Sequence, residues 1–188
     1  MSVDYSEKIL TVKDLEVQFN LRGQVLTAIR GISLDIYKGE SLAIVGESGS
    51  GKSVFTKTFM GMLDKNGKVT KGEILYNGMD LAKFSSEKDW LKIRGKEVAM
   101  VFQDPMTSLN PLKTVGKQIQ EALELHQNLH GRAARERTIE ILSDVGISEP
   151  ERRYKQYPHE FSGGMRQRAV IATAIACNPN ILICDEPT

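Results

Sequence analysis

The chain has 188 residues, of which 40% are hydrophobic and 26% are charged, and its formal net charge is +1 at pH 7. These values are typical of a globular protein, and they exclude extensive disorder and a global electrostatic attraction to nucleic acid or anionic lipid. No stretch approaches the roughly 20 consecutive apolar residues that a membrane-spanning helix requires. The length suits one domain, or one domain with a small subdomain.

The start of the chain and its cysteines point to a reducing compartment. Residues 1–8 contain no apolar core typical of a secretory signal, so we expect a cytosolic location. Cys177 and Cys184 lack metal-ligand spacing, and both are surrounded by apolar residues. We therefore expect both cysteines to be reduced, buried and structural.

The first part of the chain predicts β-strands. Residues 9–12 and 15–19 carry β-branched and aromatic residues in partial alternation, and residues 26–36 continue this pattern. Residues 41–45 form a short apolar run that predicts a strand buried on both faces of a central sheet. Further strands are predicted at residues 72–76, 98–102 and 181–184.

Helical patterns occupy three other regions. Residues 53–63 predict a helix directly after the strand at 41–45. Apolar residues recur at helical spacing among charges from 114 to 157, which predicts two or three amphipathic helices inserted between two strands of the sheet. A last helix is predicted at residues 164–177.

Residues 46–53 match the G-x-x-x-x-G-K-[ST] phosphate-binding loop, and they lie between a predicted strand and a predicted helix, as the motif requires. The loop consists of Gly46, Glu47, Ser48, Gly49, Ser50, Gly51, Lys52 and Ser53. Gly49 and Gly51 allow the backbone to turn its N–H groups toward phosphates. We expect Lys52 to reach the β and γ phosphates and Ser53 to offer its hydroxyl to Mg²⁺.

Two acids follow the apolar residues 181–184. Asp185 stands at the predicted end of the strand, where a carboxylate can hold Mg²⁺ directly or through water. The adjacent Glu186 is placed to activate a water molecule as general base. An Asp-Glu turn after a core strand is the alternative interpretation, and the presence of the phosphate-binding loop disfavours it.

A second glycine-rich segment, Ser162, Gly163 and Gly164, precedes a basic helical sequence. Ser-Gly-Gly alone also marks ordinary loops. Here Ser162 is a plausible N-cap, and the glycines would expose N–H donors at a positive helix end. The phosphate-binding loop does not need these donors, so they are expected to meet a second nucleotide across a dimer.

Two further residues are ambiguous from the sequence alone. Gln103 follows the predicted strand at 98–102, where its amide could hold Mg²⁺ or water, although an exposed loop glutamine is the simpler interpretation. Phe19 could stack on adenine, although buried aromatic residues are commoner in strands.

The motifs at 46–53, 103, 161–168 and 181–186 together resemble, in this order, those of the ATP-binding subunits of ABC transporters. Phe161 replaces the leucine that many members have before Ser-Gly-Gly. Three flanking segments resemble the subfamily that imports oligopeptides and dipeptides, namely residues 100–111, 157–160 and 176–179.

The resemblance implies an α/β P-loop ATPase fold with an N-terminal antiparallel β subdomain and an inserted helical subdomain. It places the β subdomain and the P-loop core at residues 1–103, the helical subdomain at 104–160, and the signature helix with the acidic strand at 161–188. In this family two subunits close on two ATP molecules, and the helical subdomain docks on a transmembrane permease. An extracytoplasmic substrate-binding protein is an indirect partner, and the subunit lies at the cytoplasmic face of the membrane.

The resemblance also assigns roles to single residues. Lys52 and Gln103 are expected to serve catalysis with Glu186, and Gln103 is expected to link the nucleotide to the permease. Ser53, Gln103 and Asp185 are expected to hold Mg²⁺. Phe19 is expected to stack on adenine, and residues 162–164 to complete the partner's ATP site.

Family members continue beyond the position that corresponds to Thr188, so we expect this sequence to be a fragment that hydrolyses ATP poorly by itself. One alternative is a soluble ABC-type ATPase of DNA repair or chromosome architecture. That class requires a long coiled coil or a zinc module between the motifs, for which residues 104–161 show neither heptads nor cysteine pairs. Another alternative is a fragment that binds nucleotide without turnover.

Overall fold

The computed structural model describes residues 3–102 and 108–185, which divide into two compact units, residues 1–91 and 92–188. Gln103 and Glu186 lie outside the described residues. Within the described part of the chain, no helix has both the length and the apolar character to cross a bilayer.

The first unit is built on a four-stranded antiparallel sheet. Its strands are β1 (Asp4–Leu21), β2 (Gln24–Lys38), β3 (Gly67–Tyr76) and β4 (Met79–Asp80), in the order β2-β1-β3-β4. The predicted strands 9–12 and 15–19 are parts of β1, which continues through an irregularity in its pairing. The central position of β1 explains the burial of its alternating apolar residues, which are Leu10, Val12, Leu15 and Val17.

Residues 41–45 do not form the predicted buried strand. They have no regular secondary structure, and Val45 is 91% exposed. Leu42 and Ile44 are also exposed. The prediction was wrong because an apolar run becomes a strand only where a neighbouring strand satisfies its N–H and C=O groups. Among the described residues no strand pairs with this run.

Two short helices complete the first unit. Helix α1 (Lys52–Thr58) packs against β2 and buries Phe55. It is shorter than predicted, because tight turns begin at Phe59, whose N–H donates to the Thr56 carbonyl. Helix α2 (Glu87–Trp90) is capped by the Ser86 hydroxyl, which accepts a hydrogen bond from the Asp89 N–H.

The second unit combines a parallel strand pair with α-helices, four of which lie wholly within the described residues. Strands β5 (Val98–Val101) and β6 (Ile181–Cys184) pair in parallel. The helices are α3 (Val115–His126), α4 (Gly131–Asp144), α5 (Pro150–Arg153) and α6 (Gly163–Ile175). Their apolar faces form one core with β5, in which Val115, Ile119 and Leu142 are fully buried. The amphipathic pattern of residues 114–157 thus corresponds to three helices.

The two cysteines lie in different surroundings. Cys177 is buried, as predicted, and its Sγ donates to the Ala122 carbonyl. Cys184 is exposed, because Ile181 and Ile183 of β6 face inward while Leu182 and Cys184 face outward. The expectation that both are buried was therefore wrong for Cys184. Partial burial raises the pKa of both thiols.

Candidate functional site

Residues 46–53 form an exposed loop that enters α1. Gly49 and Gly51 have φ values of 79° and 95°, a region that side chains rarely tolerate. The Ser50 N–H donates to the Glu47 carbonyl at 3.1 Å, which closes a turn inside the loop. The two glycines therefore occupy the backbone conformations for which the motif needs them.

The Lys52 side chain folds over this loop. Its Nζ donates to the carbonyl oxygens of Gly46 at 2.8 Å and Glu47 at 2.9 Å. An ammonium group has three N–H donors, so this arrangement holds the charge at the loop and leaves one donor for an anion. The lysine is positioned by the loop backbone, and among residues 3–102 and 108–185 it forms no ion pair with an acidic side chain.

Gly46 closes the loop at its base. A Cβ added at this position would lie 2.6 Å from the Ser50 Oγ, which is closer than real Cβ contacts. A side chain at Gly46 would therefore require the Ser50 hydroxyl to move. The motif glycine thus allows the Ser50 side chain to lie close to the base of the loop.

Phe19 lies on the sheet face that contacts the phosphate-binding loop. Val17 pairs with Ile29, while Gln18 pairs with Thr27, so a bulge at Ala28 brings Ile29 to the same face as Val17 and Phe19. A Cβ added at Gly51 would lie 3.0 Å from the Ile29 Cδ1.

This pairing fixes the sheet face that Phe19 occupies. Phe19 is two residues beyond Val17 on β1, a step of about 7 Å along a strand. The half-buried Phe19 ring thus lies on the same face of the sheet as Val17 and Ile29.

Asp185 stands at the carboxyl end of the parallel pair in the second unit. Its N–H donates to the Val101 carbonyl at 3.1 Å, which continues the pairing of Val101 with Cys184. Because parallel strands end at the same edge, Phe102 and Asp185 lie at one edge of this sheet. Gln103 and Glu186 follow these ends, but both lie outside the described residues.

The Ser-Gly-Gly segment begins α6 as predicted. Ser162 is the N-cap, and its Oγ accepts a hydrogen bond from the Met165 N–H at 3.3 Å. A Cβ added at Gly163 or Gly164 would meet nothing within 4 Å. The first turn of this 13-residue helix therefore presents its backbone to open space within the described part of the chain.

The side chains of Phe161 and Arg166 hold the start of α6 in place. Phe161 is 2% exposed and packs in the core of the second unit. The Arg166 Nε donates to the Pro158 carbonyl at 2.9 Å. This anchoring role of Arg166 could not be predicted from the basic helical pattern, because a backbone acceptor eight residues earlier leaves no sequence signal.

The structure thus groups the predicted residues by unit. Phe19 and residues 46–53 belong to the first unit, whereas residues 162–164 and Asp185 belong to the second. Phe19 is half-buried inside β1 and residues 46–53 form an exposed loop, whereas residues 162–164 begin α6 and Asp185 follows β6.

Comparisons with known proteins agree with these motifs. The family model described as ABC transporter matches residues 29–188. The chain is 57% identical to the oligopeptide transport ATP-binding protein AmiE of Streptococcus pneumoniae over 180 residues, which cover 96% of this chain and 51% of that protein. It is 54% identical to the dipeptide transport ATP-binding protein DppD of Bacillus subtilis over 183 residues, with 97% and 54% covered. The chain thus spans about half the length of these relatives.

A solved structure supports the same assignment. The dimeric, post-hydrolysis structure of the ATP-binding cassette MJ0796 with ADP and Pi superimposes with a TM-score of 0.82 and 30% identity, covering 95% of this chain and 74% of that one. The α/β ATPase fold and the similarity to peptide-transport subunits are confirmed, and the DNA-repair alternative is not favoured. The chain belongs to the ABC transporter family.

Proposed function

We propose that this chain binds ATP at residues 46–53 and serves as the ATP-hydrolysing subunit of a peptide importer. The loop geometry carries the proposal, because Lys52 is held across the Gly46 and Glu47 carbonyls and Gly49 and Gly51 turn the backbone around it. The peptide cargo is inferred from the names of the relatives, which transport oligopeptides and dipeptides.

The first unit would hold the nucleotide. The remaining Lys52 donor and the loop N–H groups bind the β and γ phosphates. Phe19 stacks on adenine, because it lies on the sheet face that contacts the loop. The other loop residues, including Ser48 and Ser50, surround the phosphates.

Mg²⁺ fits the available donors. Ser53, Gln103 and Asp185 offer the hydroxyl, amide and carboxylate oxygens that this cation prefers. No cluster of three or more His, Cys, Asp or Glu side chains occurs among residues 3–102 and 108–185. When bound, Mg²⁺ would neutralise charge that develops on the transferred phosphoryl group.

The chemical step would use residues at the strand ends of the second unit. Glu186 accepts a proton from the attacking water, and Gln103 orients that water. In the sequence, Gln103 comes shortly after β5 and Glu186 comes directly after Asp185, whose N–H donates to the Val101 carbonyl. We assign these roles from the sequence motifs and from family membership.

Dimerisation would complete each ATP site. Residues 162–164 present an open helix start, which suits the phosphates of a nucleotide bound to a second ATP-binding subunit. The MJ0796 cassette, which is similar to this chain, forms a dimer. The helical subdomain at 104–160 would dock on permease subunits at the cytoplasmic face of the membrane. An extracytoplasmic substrate-binding protein would deliver peptides to that permease.

Titration calorimetry tests the binding step. We expect ATP with Mg²⁺ to bind the purified chain at least roughly tenfold more tightly than AMP, because AMP lacks the phosphates that Lys52 contacts. Equal affinity for AMP and ATP, or no binding of ATP, would contradict the proposal. A phosphate-release assay beside the titration separates binding from turnover, and we expect slow turnover because residues 41–45 are not held in a sheet.

A further inference from the structure

Gly67, the first residue of β3, lies directly beneath the Phe19 ring. The two residues are partners in the antiparallel pairing of β1 with β3. A Cβ added at Gly67 would lie 2.5 Å from the Phe19 Cε1 and 2.9 Å from its Cζ. The ring therefore occupies the space that any other residue at position 67 would need for its side chain.

The backbone around Gly67 is held in place. The Asn20 N–H donates to the Asn66 carbonyl at 2.9 Å, and the Asn66 Nδ2 donates back to the Asn20 carbonyl at 3.2 Å. The Gly67 N–H donates to the Asp64 carbonyl at 2.7 Å. Because these bonds tie the start of β3 to the strand that carries Phe19, an added methyl group would move the ring sooner than the backbone.

Glycine is not needed here for its backbone conformation. Eleven other glycines have positive φ, but Gly67 does not, so alanine could adopt the same backbone without strain. Packing against the Phe19 ring is the remaining local reason for glycine at this position. That ring lies on the sheet face that contacts the phosphate-binding loop, as described above.

We propose that Gly67 is a positioning residue for the nucleobase, because its missing side chain lets the Phe19 ring lie against β3 in the orientation that stacks on adenine. The inference rests on the proposed function, since it assumes that residues 46–53 hold ATP. An aromatic ring over a cross-strand glycine also occurs in sheets without a ligand. The test must therefore separate nucleobase positioning from sheet stability.

Titration calorimetry measures the binding of two ligands to the unmodified chain and to the variants of a double-mutant cycle. Inorganic tripolyphosphate probes the phosphate-binding loop alone, whereas ATP probes the loop and the base contact together. We expect Gly67→Ala to weaken ATP binding by roughly three- to tenfold, the range of one aromatic contact, and to leave tripolyphosphate binding unchanged. We expect Phe19→Ala to have a similar effect, and Gly67→Ala to add nothing in the Phe19→Ala background.

A control variant and the possible outcomes decide whether the proposal stands. Lys68→Ala changes the next residue of β3, whose side chain is exposed on the opposite face, and should bind both ligands normally. Unchanged ATP affinity in Gly67→Ala would overturn the proposal. Equal losses for ATP and tripolyphosphate would overturn it too, as would a full additional loss in the Phe19→Ala background, where the methyl group has room. If the unmodified chain binds neither ligand, the proposed function itself fails.

Discussion

Two apolar runs, residues 41–45 and β6 at residues 181–184, look alike in the sequence and differ in the structure. Each precedes residues assigned to the ATP site. The first has no regular secondary structure and is exposed, whereas β6 pairs with β5 and buries Ile181 and Ile183. The difference shows that an apolar run supplies the potential to form a strand, and that a partner in register determines whether the strand forms.

The phosphate-binding loop and the Ser162 segment, residues 162–164, are held in place in two different ways. The phosphate-binding loop keeps its shape through its own hydrogen bonds, from Lys52 and Ser50 to loop carbonyls. The Ser162 segment keeps its shape through a packed core, in which Phe161 is buried. The first arrangement depends on local sequence, and the second on contacts between distant residues.

The strongest test of the difference between the two apolar runs is to place an aspartate in each of them. Ile183→Asp puts a charge at a position that is 8% exposed, and we expect it to lower the free energy of unfolding by about 4 kcal/mol or more. Val45→Asp changes a side chain that is 91% exposed, and we expect a change within about 0.5 kcal/mol. Urea unfolding followed by circular dichroism measures both.

Leu182→Asp is the matched control, since Leu182 lies on the same strand as Ile183 but is 42% exposed. We expect its effect to fall between the other two. If Val45→Asp destabilises the chain as much as Ile183→Asp, the run at 41–45 is buried in solution, and the contrast between the two runs is wrong.

The locally held loop predicts a large effect on binding with little effect on folding. Lys52→Ala removes a charged donor, so we expect ATP affinity to fall by roughly ten- to hundredfold while the unfolding curve stays unchanged. Calorimetry and urea unfolding measure the two quantities. Lys65→Ala, an exposed lysine of the same unit, is the control and should bind ATP normally. A loss of stability in Lys52→Ala comparable to its loss of binding would show that the lysine supports the fold.

For the Ser162 segment we expect a smaller effect. It should be seen first in the free energy of unfolding. Ser162→Ala removes the acceptor of the Met165 N–H, so we expect a loss of about 1 kcal/mol in the free energy of unfolding. Ser162→Asp retains a capping oxygen and should restore stability.

The two Ser162 variants also separate the cap from the proposed role in the dimer. The carboxylate of Ser162→Asp would face the phosphates of the partner's ATP, and we expect it to weaken ATP-dependent dimerisation in analytical ultracentrifugation. Dimerisation equal to that of the unmodified chain would argue against contact between Ser162 and the partner's nucleotide.

The features that sequence predicted well are those defined within a few residues. The phosphate-binding loop, the Ser162 cap and the amphipathic helices each follow from local residue types and spacing. The irregular backbone of residues 41–45 and the sheet face that Phe19 occupies could not be predicted from local sequence. The first depends on a pairing partner, and the second on a bulge at Ala28 that changes the alternation of β2. Both are properties of register between distant segments.

The smallest predicted effect is a pH dependence that belongs to the second unit. His126 packs on the backbone near Gly95, since a Cβ added there would lie 2.8 Å from the imidazole Nε2. Burial, with a smaller contribution from the Lys96 charge, lowers the pKa of His126 below its ordinary value of 6.5. Between the lowered and the ordinary pKa the unfolded chain binds more protons than the folded chain, so stability is full above about pH 6.5 and decreases as the pH falls.

His126→Asn should therefore flatten the dependence of the melting temperature on pH between about 5 and 7, the range in which an ordinary histidine titrates. His159→Asn changes an exposed histidine of the same unit and should leave that dependence unchanged. Thermal unfolding at several pH values measures both. If the slope persists in His126→Asn, another group titrates in this range, and the packing of His126 on Gly95 does not make the second unit sensitive to acid.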